Sequence, residues 1–530
     1  MQIGLRLDPL RQLRWHQWLA AALCDMPGCR VSIVFAAAAR PLPLACRLLL
    51  QLERLIYRCR TDHAMELTGV PGFTPHGPDG DKQHDFDVVV DLSGSDDPLP
   101  RCRRALTPLF NDVAGELGAI AAILNGPPMR IEVHDSARGA ASLTALPAVA
   151  DPRMLTSALD GVLSSTATLI LKAIDQPAVA TAGNGDQPPP PRARNALACS
   201  TTLAQAGRAL RDKVVARIGR IVAGGHSWAV GCRVGAASSL LDRRRATFAL
   251  LRDDRRRYYA DPFPFRYRGR SYLFVEEFGF ACDRGCISVS TLEANGALSR
   301  PRAIIEEPHH LSYPLVFEHD GEIWMIPESG AANRIDVYRA EQFPDRWRRE
   351  GTLLEGVAAY DATLTRHDGK LWLLVTMARW NSTSWDDLSI FHASRLAGPW
   401  IPHTHNPVLL DARRSRSGGA LFRRDGALLR PVQDCSRIYG GALAFGRVDV
   451  LSETDFRQTE IGRIACGGFG CHTYNRHGAI EAIDIFGGTL GLERVEARYV
   501  PAGGATRLPG DGSRQDEQAL LAAEVAATRA

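Results

Sequence analysis

Residues Tyr313–Glu328, Tyr-Pro-Leu-Val-Phe-Glu-His-Asp-Gly-Glu-Ile-Trp-Met-Ile-Pro-Glu, read as a strand, a polar turn ending in glycine, and a second strand. The same form recurs at Asp261–Glu277, Asp361–Thr376, Gly418–Gln433 and Gly470–Ile485. The turn glycines are Gly269, Gly321, Gly369, Gly426 and Gly478, about 50 residues apart. Glycine suits these turns because tight hairpins need positive φ. Further strand-like runs lie between the hairpins, at Cys286–Leu292, Arg334–Arg339, Leu388–Ala393 and Ala442–Val448. About four strands per 50-residue unit is the pattern of a β-propeller, here over residues 225–500 with five blades. Ser227–Val234 and Ala246–Leu251 precede the first hairpin and supply the outer strands the fifth lacks, closing the ring with both ends of the repeat region.

The rest of the chain divides around this region. Residues 1–176 alternate strand and helix signals: strands at Ile3–Leu7, Arg30–Ala37, Asp87–Leu92 and Arg130–His134, helices at Leu10–Leu23, Ala45–Tyr57, Glu116–Asn125 and Met154–Ile174. That alternation predicts an α/β domain with a parallel sheet. Residues 177–224 hold a proline-rich linker, with Pro188–Pro191 in succession. A basic amphipathic helix follows, built on Leu203, Leu210, Val214, Ile218 and Ile221. Such a helix either packs under the next domain or lies on an anionic membrane. Residues 501–530 read as a frayed tail.

Composition sets outer bounds. Of 530 residues, 45% are hydrophobic and 23% charged, which supports several cored domains and excludes wholesale disorder. A net charge of +4 is too small to argue for a nucleic-acid partner. No run of 18 uncharged apolar residues predicts a spanning helix, and Met1-Gln-Ile-Gly-Leu-Arg-Leu-Asp reads as a strand rather than a leader. Twelve cysteines without framework spacing suit reduced thiols. Neither Cys282 with Cys286 nor Cys466 with Cys471 has the second ligand pair that zinc requires. These features predict a cytoplasmic protein, with peripheral membrane contact left open by the basic helix.

In a propeller, equivalent positions of the inner strands converge on one funnel. Counted from the turn glycine, Asp261, Tyr313, Asp361, Gly418 and Gly470 stand eight residues before it. Glu276, Glu328, Thr376, Gln433 and Ile485 stand seven after. Asp261 and Asp361 thus share a register, and Glu276 and Glu328 extend an acidic ring. Paired carboxylates suit sugar chemistry, since one activates a nucleophile while its surroundings set the other's pKa. Glycoside hydrolysis needs two such groups roughly 5–9.5 Å apart. Tyr313, Trp380 and Trp385 are candidates for stacking on a sugar, whereas Trp324 and Trp372 sit mid-strand as core.

Tyr259-Ala-Asp261-Pro-Phe-Pro-Phe, the Ser312–Gly321 hairpin and Tyr360-Asp361-Ala-Thr-Leu resemble the five-bladed propellers of the family 43 arabinanases and xylosidases. His310-Leu-Ser-Tyr-Pro, Pro327-Glu328-Ser, Arg430-Pro-Val-Gln433-Asp-Cys-Ser with Tyr439-Gly440, and His472-Thr-Tyr-Asn resemble one subgroup more closely. That subgroup is the domain at the N-terminus of plant glucosamine inositolphosphorylceramide transferases, with bacterial homologues. The resemblance implies that Asp261 matches the hydrolases' general base and Asp361 the residue tuning the acid. Their general acid, a Glu opening the fourth blade, corresponds here to Ser417, which cannot protonate a glycosidic oxygen near neutral pH. Ordinary glycosidase activity is therefore not expected, and Glu328 becomes the replacement candidate.

The resemblance also places His472 near a central metal ion such as calcium. Its motifs give His310, Tyr313, Gln433 and Tyr439 to a glycan, glycolipid or sugar-nucleotide ligand; Glu276 joins them by register, and Arg413, Arg414, Arg416 and Arg430 near the fourth blade either engage an anionic sugar or headgroup or are solvated at the surface. Residues 1–176, through Asp87-Val-Val-Val-Asp-Leu-Ser-Gly, Gly115-Glu-Leu-Gly-Ala, Gly126-Pro-Pro and Ile131-Glu-Val-His, faintly resemble the formyltransferase N-terminal fold, but residues 95–135 lack its His-x-Ser-Leu-Leu-Pro stretch, so formyl transfer is not expected. Two functions follow: a carbohydrate-active propeller that binds or processes a sugar, by transfer or altered hydrolysis, or a non-catalytic scaffold in polysaccharide or glycolipid assembly.

Overall fold

The computed structural model describes residues 1–37, 41–57, 62–69, 75–76, 86–125, 128–137, 143–149, 154–176, 207, 228–235, 238–293, 297–487 and 491–502. Apart from residue 207, the linker and the basic helix read from the sequence lie outside them, as does nearly all of the tail. The chain divides into two compact units, Met1–Val215 with Arg379–Thr383, and Ala216–Ala378 with Ser384–Ala530.

The first unit is an α/β sheet. Strands Gln2–Leu7, Arg30–Phe35, Phe86–Asp91 and Cys102–Phe110 pair in parallel, with Gln2–Leu7 between Arg30–Phe35 and Phe86–Asp91. Ile131–Asp135 then joins Cys102–Phe110 antiparallel. The helices form at Arg14–Asp25, Leu44–Tyr57, Glu116–Asn125 and Leu155–Asp175. The first starts later than its apolar spacing predicts, because Asp8 accepts the Leu10 N–H and turns the chain there. Leu155–Asp175 is long and apolar enough to cross a membrane, but here it is a core helix, 89% buried over its most apolar window. Cys102–Phe110 is a strand the sequence hid behind Arg103, Arg104 and Pro108. Arg104 is buried on Asp135 at 2.6 Å. Pro108 is tolerated because pairing with Phe86–Asp91 stops at Leu106, leaving a neighbour on one side only.

The second unit is all-β and follows the repeat. Arg257–Ile305 and Arg334–Glu355 with Ser312–Glu328 give two four-stranded antiparallel sheets, and Ala359–Leu410 gives a five-stranded one. A nine-stranded sheet holds the fourth and fifth hairpins. In it, Trp228–Arg233 pairs with Ile480–Phe486 and Arg245–Leu250 with Trp228–Arg233, so strands from before the first repeat complete the fifth. Arg494–Pro501, at the end of the repeat region, pairs with both Arg245–Leu250 and Phe456–Cys466. Four hairpins turn through two consecutive residues at positive φ: Arg268-Gly269, Asp320-Gly321, Asp368-Gly369 and Asp425-Gly426. Those angles match the type I′ turns favoured by twisted hairpins.

Candidate functional site

The shared register has a local cause. In the first three repeats, the residue nine before the turn glycine pairs with the one seven after it: Ala260 with Glu276, Ser312 with Glu328, Tyr360 with Thr376. Immediately afterwards each ladder slips, and the residue at the slip has positive φ: Asp261 at 47°, Tyr313 at 45°, Asp361 at 49°. A side chain held there costs on the order of 1–3 kcal/mol, and such strain clusters at functional sites. The three bulges re-aim Asp261, Tyr313 and Asp361 out of the sheet alternation. All three side chains are buried.

Hydrogen bonds tie these inner strands together. The Tyr313 N–H donates to Asp261 Oδ2 at 3.1 Å, and Thr473 Oγ1 donates to Asp261 Oδ1 at 2.7 Å. Gln433 Nε2 donates to Asp361 Oδ2 at 3.0 Å, and Arg416 Nε meets the same oxygen at 2.7 Å as an ion pair. The Arg416 guanidinium lies over the rings of Tyr360 and Tyr439, at 5.7 and 5.1 Å. Glu328 accepts from Ser312 Oγ at 2.9 Å and from the Gly330 N–H at 2.5 Å.

Asp484, in the strand Ile480–Phe486, joins the group. It accepts from the backbone N–H groups of His472 and Thr473, both at 2.9 Å, and stands 2.5 Å from His472 Nδ1. Its place in Ala482-Ile-Asp-Ile-Phe486 was the signal available in the sequence. Trp228 stacks on the His472 ring at 3.7 Å. Trp385 and Tyr439 add further aromatic surface, 5.5 Å apart.

Five carboxyl groups, from Asp261, Glu276, Glu328, Asp361 and Asp484, thus meet the Arg416 guanidinium and the His472 imidazole, with the His310 ring beside Glu276. Burial raises the Asp361 carboxyl to about 7, with Arg416 opposing and the other acids adding to the rise. Burial also raises Asp261 and Glu328, and lifts Glu276 well above the usual carboxylate range with help from Asp261, Glu328 and Asp484. Burial alone would lower His472, but Asp484 and Asp261 outweigh it and raise the imidazole. This buried cluster is acidic, proton-holding and short of positive charge.

Several sequence assignments change on this geometry. Tyr313 is a fully buried brace: its hydroxyl accepts the Gly419 N–H at 2.9 Å and lies 2.9 Å from Thr363 Oγ1. Arg430 is also a brace, fully buried on the carbonyls of Arg414 and Ser415 and 3.2 Å from Ser417 Oγ. Gln433 acts through Asp361, since its amide also donates to the Ser417 carbonyl at 2.7 Å. Ser417, where a general acid would stand, is buried under Arg430. Trp324 and Trp372 donate to His319 and His367 carbonyls, as core residues do. Asp261, Asp361, Glu328, Glu276, Arg416, Tyr439 and His472 do meet, and His310 lies beside Glu276 at 3.5 Å.

Asp261, His472 and Asp484 offer ligand atoms within 4.8 Å of one another, close enough to surround a small ion. The donor set does not suit calcium, which takes six to eight oxygens. The His472 nitrogen is turned to Asp484, and the carboxylates already accept from Thr473, Tyr313 and two backbone N–H groups. This is an ion triad rather than a calcium cage.

Bulged strands thus gather these acids in a unit of repeated antiparallel hairpins. Residues 251–467 match the family model described as glucosamine inositolphosphorylceramide transferase 1, N-terminal, which bears out the motif resemblance over that segment. Glucosamine inositolphosphorylceramide transferase 1 of Arabidopsis thaliana is 34% identical over 208 residues, covering 38% of this chain and 27% of the relative. The protein of that name from Oryza sativa subsp. japonica is 30% identical over 263 residues, covering 47% and 34%. The chain therefore spans about a third or less of the curated relatives it matches. Among solved structures, a GH43_1 enzyme from Xanthomonas citri is 11% identical at a TM-score of 0.37, covering 51% of this chain and 98% of the other. An alpha-L-arabinanase from Cellvibrio cellulosa is 14% identical at 0.30, covering 38% and 77%.

Proposed function

We propose that the second unit is a five-bladed propeller whose pit binds a sugar of a glycan or glycolipid, without hydrolysing it as a family 43 enzyme would. Asp261, Glu328 and the Asp361–Arg416 pair are its polar contacts, with Tyr360, Tyr439 and Trp385 at the sugar's faces. The observation that carries this is the set of three bulges in one register, which bring the acids of separate repeats to one place at a cost in strain. The surplus of carboxyl groups favours a ligand bearing an ammonium, and the names of the matched relatives agree with a glucosamine-containing glycolipid. Ser417 beneath Arg430 supplies no proton donor, which favours recognition or transfer over hydrolysis.

In the same reading, the first unit is a formyltransferase-like domain retired from chemistry. The carboxyl ends of its central strands, where such sheets hold ligands, are filled by buried ion pairs. These are Arg6 with Asp91 at 3.2 Å, and Arg11 with Asp8 at 3.3 Å and Glu116 at 2.5 Å.

The test is calorimetric titration of the full chain with glucosamine and glucosaminyl-inositol, followed by mass spectrometry of the mixtures. Binding that disappears in Asp261→Asn/Asp361→Asn supports the reading. Unchanged binding in that variant, or none in the wild type, removes the pit and favours a scaffold. A hydrolysed product would overturn the role given to Ser417.

A further inference from the structure

Glu276 stands apart from the other acids of the pit. Its side chain is 7% exposed, yet no hydrogen bond reaches its carboxyl among the described residues. His310 Nε2 lies 3.5 Å from Glu276 Oε1. His310 Nδ1 accepts the Gly285 N–H at 2.9 Å, which in the neutral ring puts the hydrogen on Nε2. Burial lowers His310 to about 4, so the ring is neutral at ordinary pH. Gly285 makes the approach possible. A Cβ there would stand 2.6 Å from His310 Cε1 and 2.9 Å from Glu276 Oε1.

Two residues further along the same strands, Tyr258 pairs with Phe278. Side chains two apart share a strand face, so this pair continues the line of Ala260 and Glu276, roughly 7 Å onward and away from the hairpin turn. The Tyr258 and Phe278 rings stack at 5.0 Å and 8°. Phe280 closes on them at 6.0 and 6.4 Å, and half of it is exposed. The Phe280 N–H donates to the Arg256 carbonyl at 3.1 Å, which holds the loop against the neighbouring strand. Phe278 lies 6.1 Å from His310. A mostly buried carboxyl without a hydrogen bond, a ring N–H and a partly exposed aromatic face thus follow one another along these strands.

We propose that Glu276, His310 and the Tyr258–Phe278–Phe280 platform form a second sugar subsite, one unit outward from the pit, so that the natural ligand carries at least two linked rings. The apolar face of the outer ring rests on Phe280 and Phe278. Its hydroxyls donate to Glu276 and accept from His310 Nε2. A hydrocarbon chain does not fit the same place, since it would seal Glu276 against an apolar group with its carboxyl still unpaired. The proposal rests on the sugar-binding reading of the pit.

The test compares glucosamine with the β-1,4-linked glucosamine disaccharide by calorimetry on the full chain. The wild type binds the disaccharide about tenfold more tightly, a difference of about 1.4 kcal/mol. Phe280→Ala brings the ratio of the two affinities to about one, and Glu276→Gln lowers it in the same direction. Phe280 is exposed, so its loss leaves the fold in place, as a thermal melt beside the wild type verifies. A wild-type ratio near one, or a ratio unaltered by Phe280→Ala, overturns the second subsite and leaves the pit standing. Binding of neither sugar overturns the pit, and the subsite with it.

Discussion

Glu481 carries the closure of the second unit. It lies in Ile480–Phe486, is fully buried, and accepts from Tyr474 Oη at 2.6 Å and the Leu240 N–H at 2.9 Å. Arg233, in the strand that precedes all the repeats, donates to it through Nε at 2.5 Å. Glu481→Gln keeps the size and one carbonyl oxygen, so Tyr474 and Leu240 retain an acceptor. What is lost is the charge facing Arg233, whose side chain is 12% exposed. Breaking a buried ion pair from one side costs about 3–5 kcal/mol, because the remaining charge stays desolvated. Arg233's exposure reduces that, so about 2–4 kcal/mol is expected in urea unfolding of the full chain, carried by the transition of the second unit. Arg233→Met tests the assignment in a double-mutant cycle, where the two losses should fall short of additivity by more than about 1 kcal/mol. A loss below about 0.5 kcal/mol for Glu481→Gln, or strict additivity, would refute closure through this pair.

The acidic pit predicts a pH dependence with a definite sign. Asp361 rises to about 7 from an ordinary 3.8, and Asp261, Glu276 and Glu328 rise too, so the folded chain holds protons that the unfolded chain releases. These groups lower stability as pH climbs from about 4 through about 7. His472, also raised, stabilises below its unfolded value and loses that contribution as pH passes its folded one. Glu276→Gln should therefore raise the melting temperature more at about pH 8 than at about pH 5, and an equal gain at both would contradict the charge surplus. Gly285→Ala should push His310 and Glu276 apart, lowering disaccharide affinity while far-ultraviolet dichroism stays unchanged; full affinity would show that the two need not meet. Ser417→Glu should yield no hydrolysis of aryl arabinofuranosides, because the new carboxylate pairs with Arg430. Measurable turnover would reverse that expectation.

Much of the second unit was legible because its repeat is punctuated. Each turn glycine fixed a register, and the register alone brought Asp261, Asp361, Glu276 and Glu328 to one pit. The borrowed closing strands were readable for the same reason, since the fifth repeat lacked partners. Outer strands such as Arg346–Glu355 and Phe456–Cys466 were not, because half-exposed strands carry arginines and glutamates that look like loop. Bulges were invisible too. Nothing in Tyr313 distinguishes a ring aimed at a ligand from one braced between Thr363 and Gly419. Arg430 misled for a related reason: a buried arginine serving carbonyls has the same sequence signature as one awaiting an anion.

The central claim is that a sugar sits in the pit, and a crystal structure of the full chain soaked with glucosaminyl-inositol tests it most directly. The account predicts a ring held within hydrogen-bond distance of Asp261 and of Asp361 or Arg416, with its face against Tyr360 or Tyr439. A sugar bound elsewhere, with the pit filled only by solvent, would contradict it.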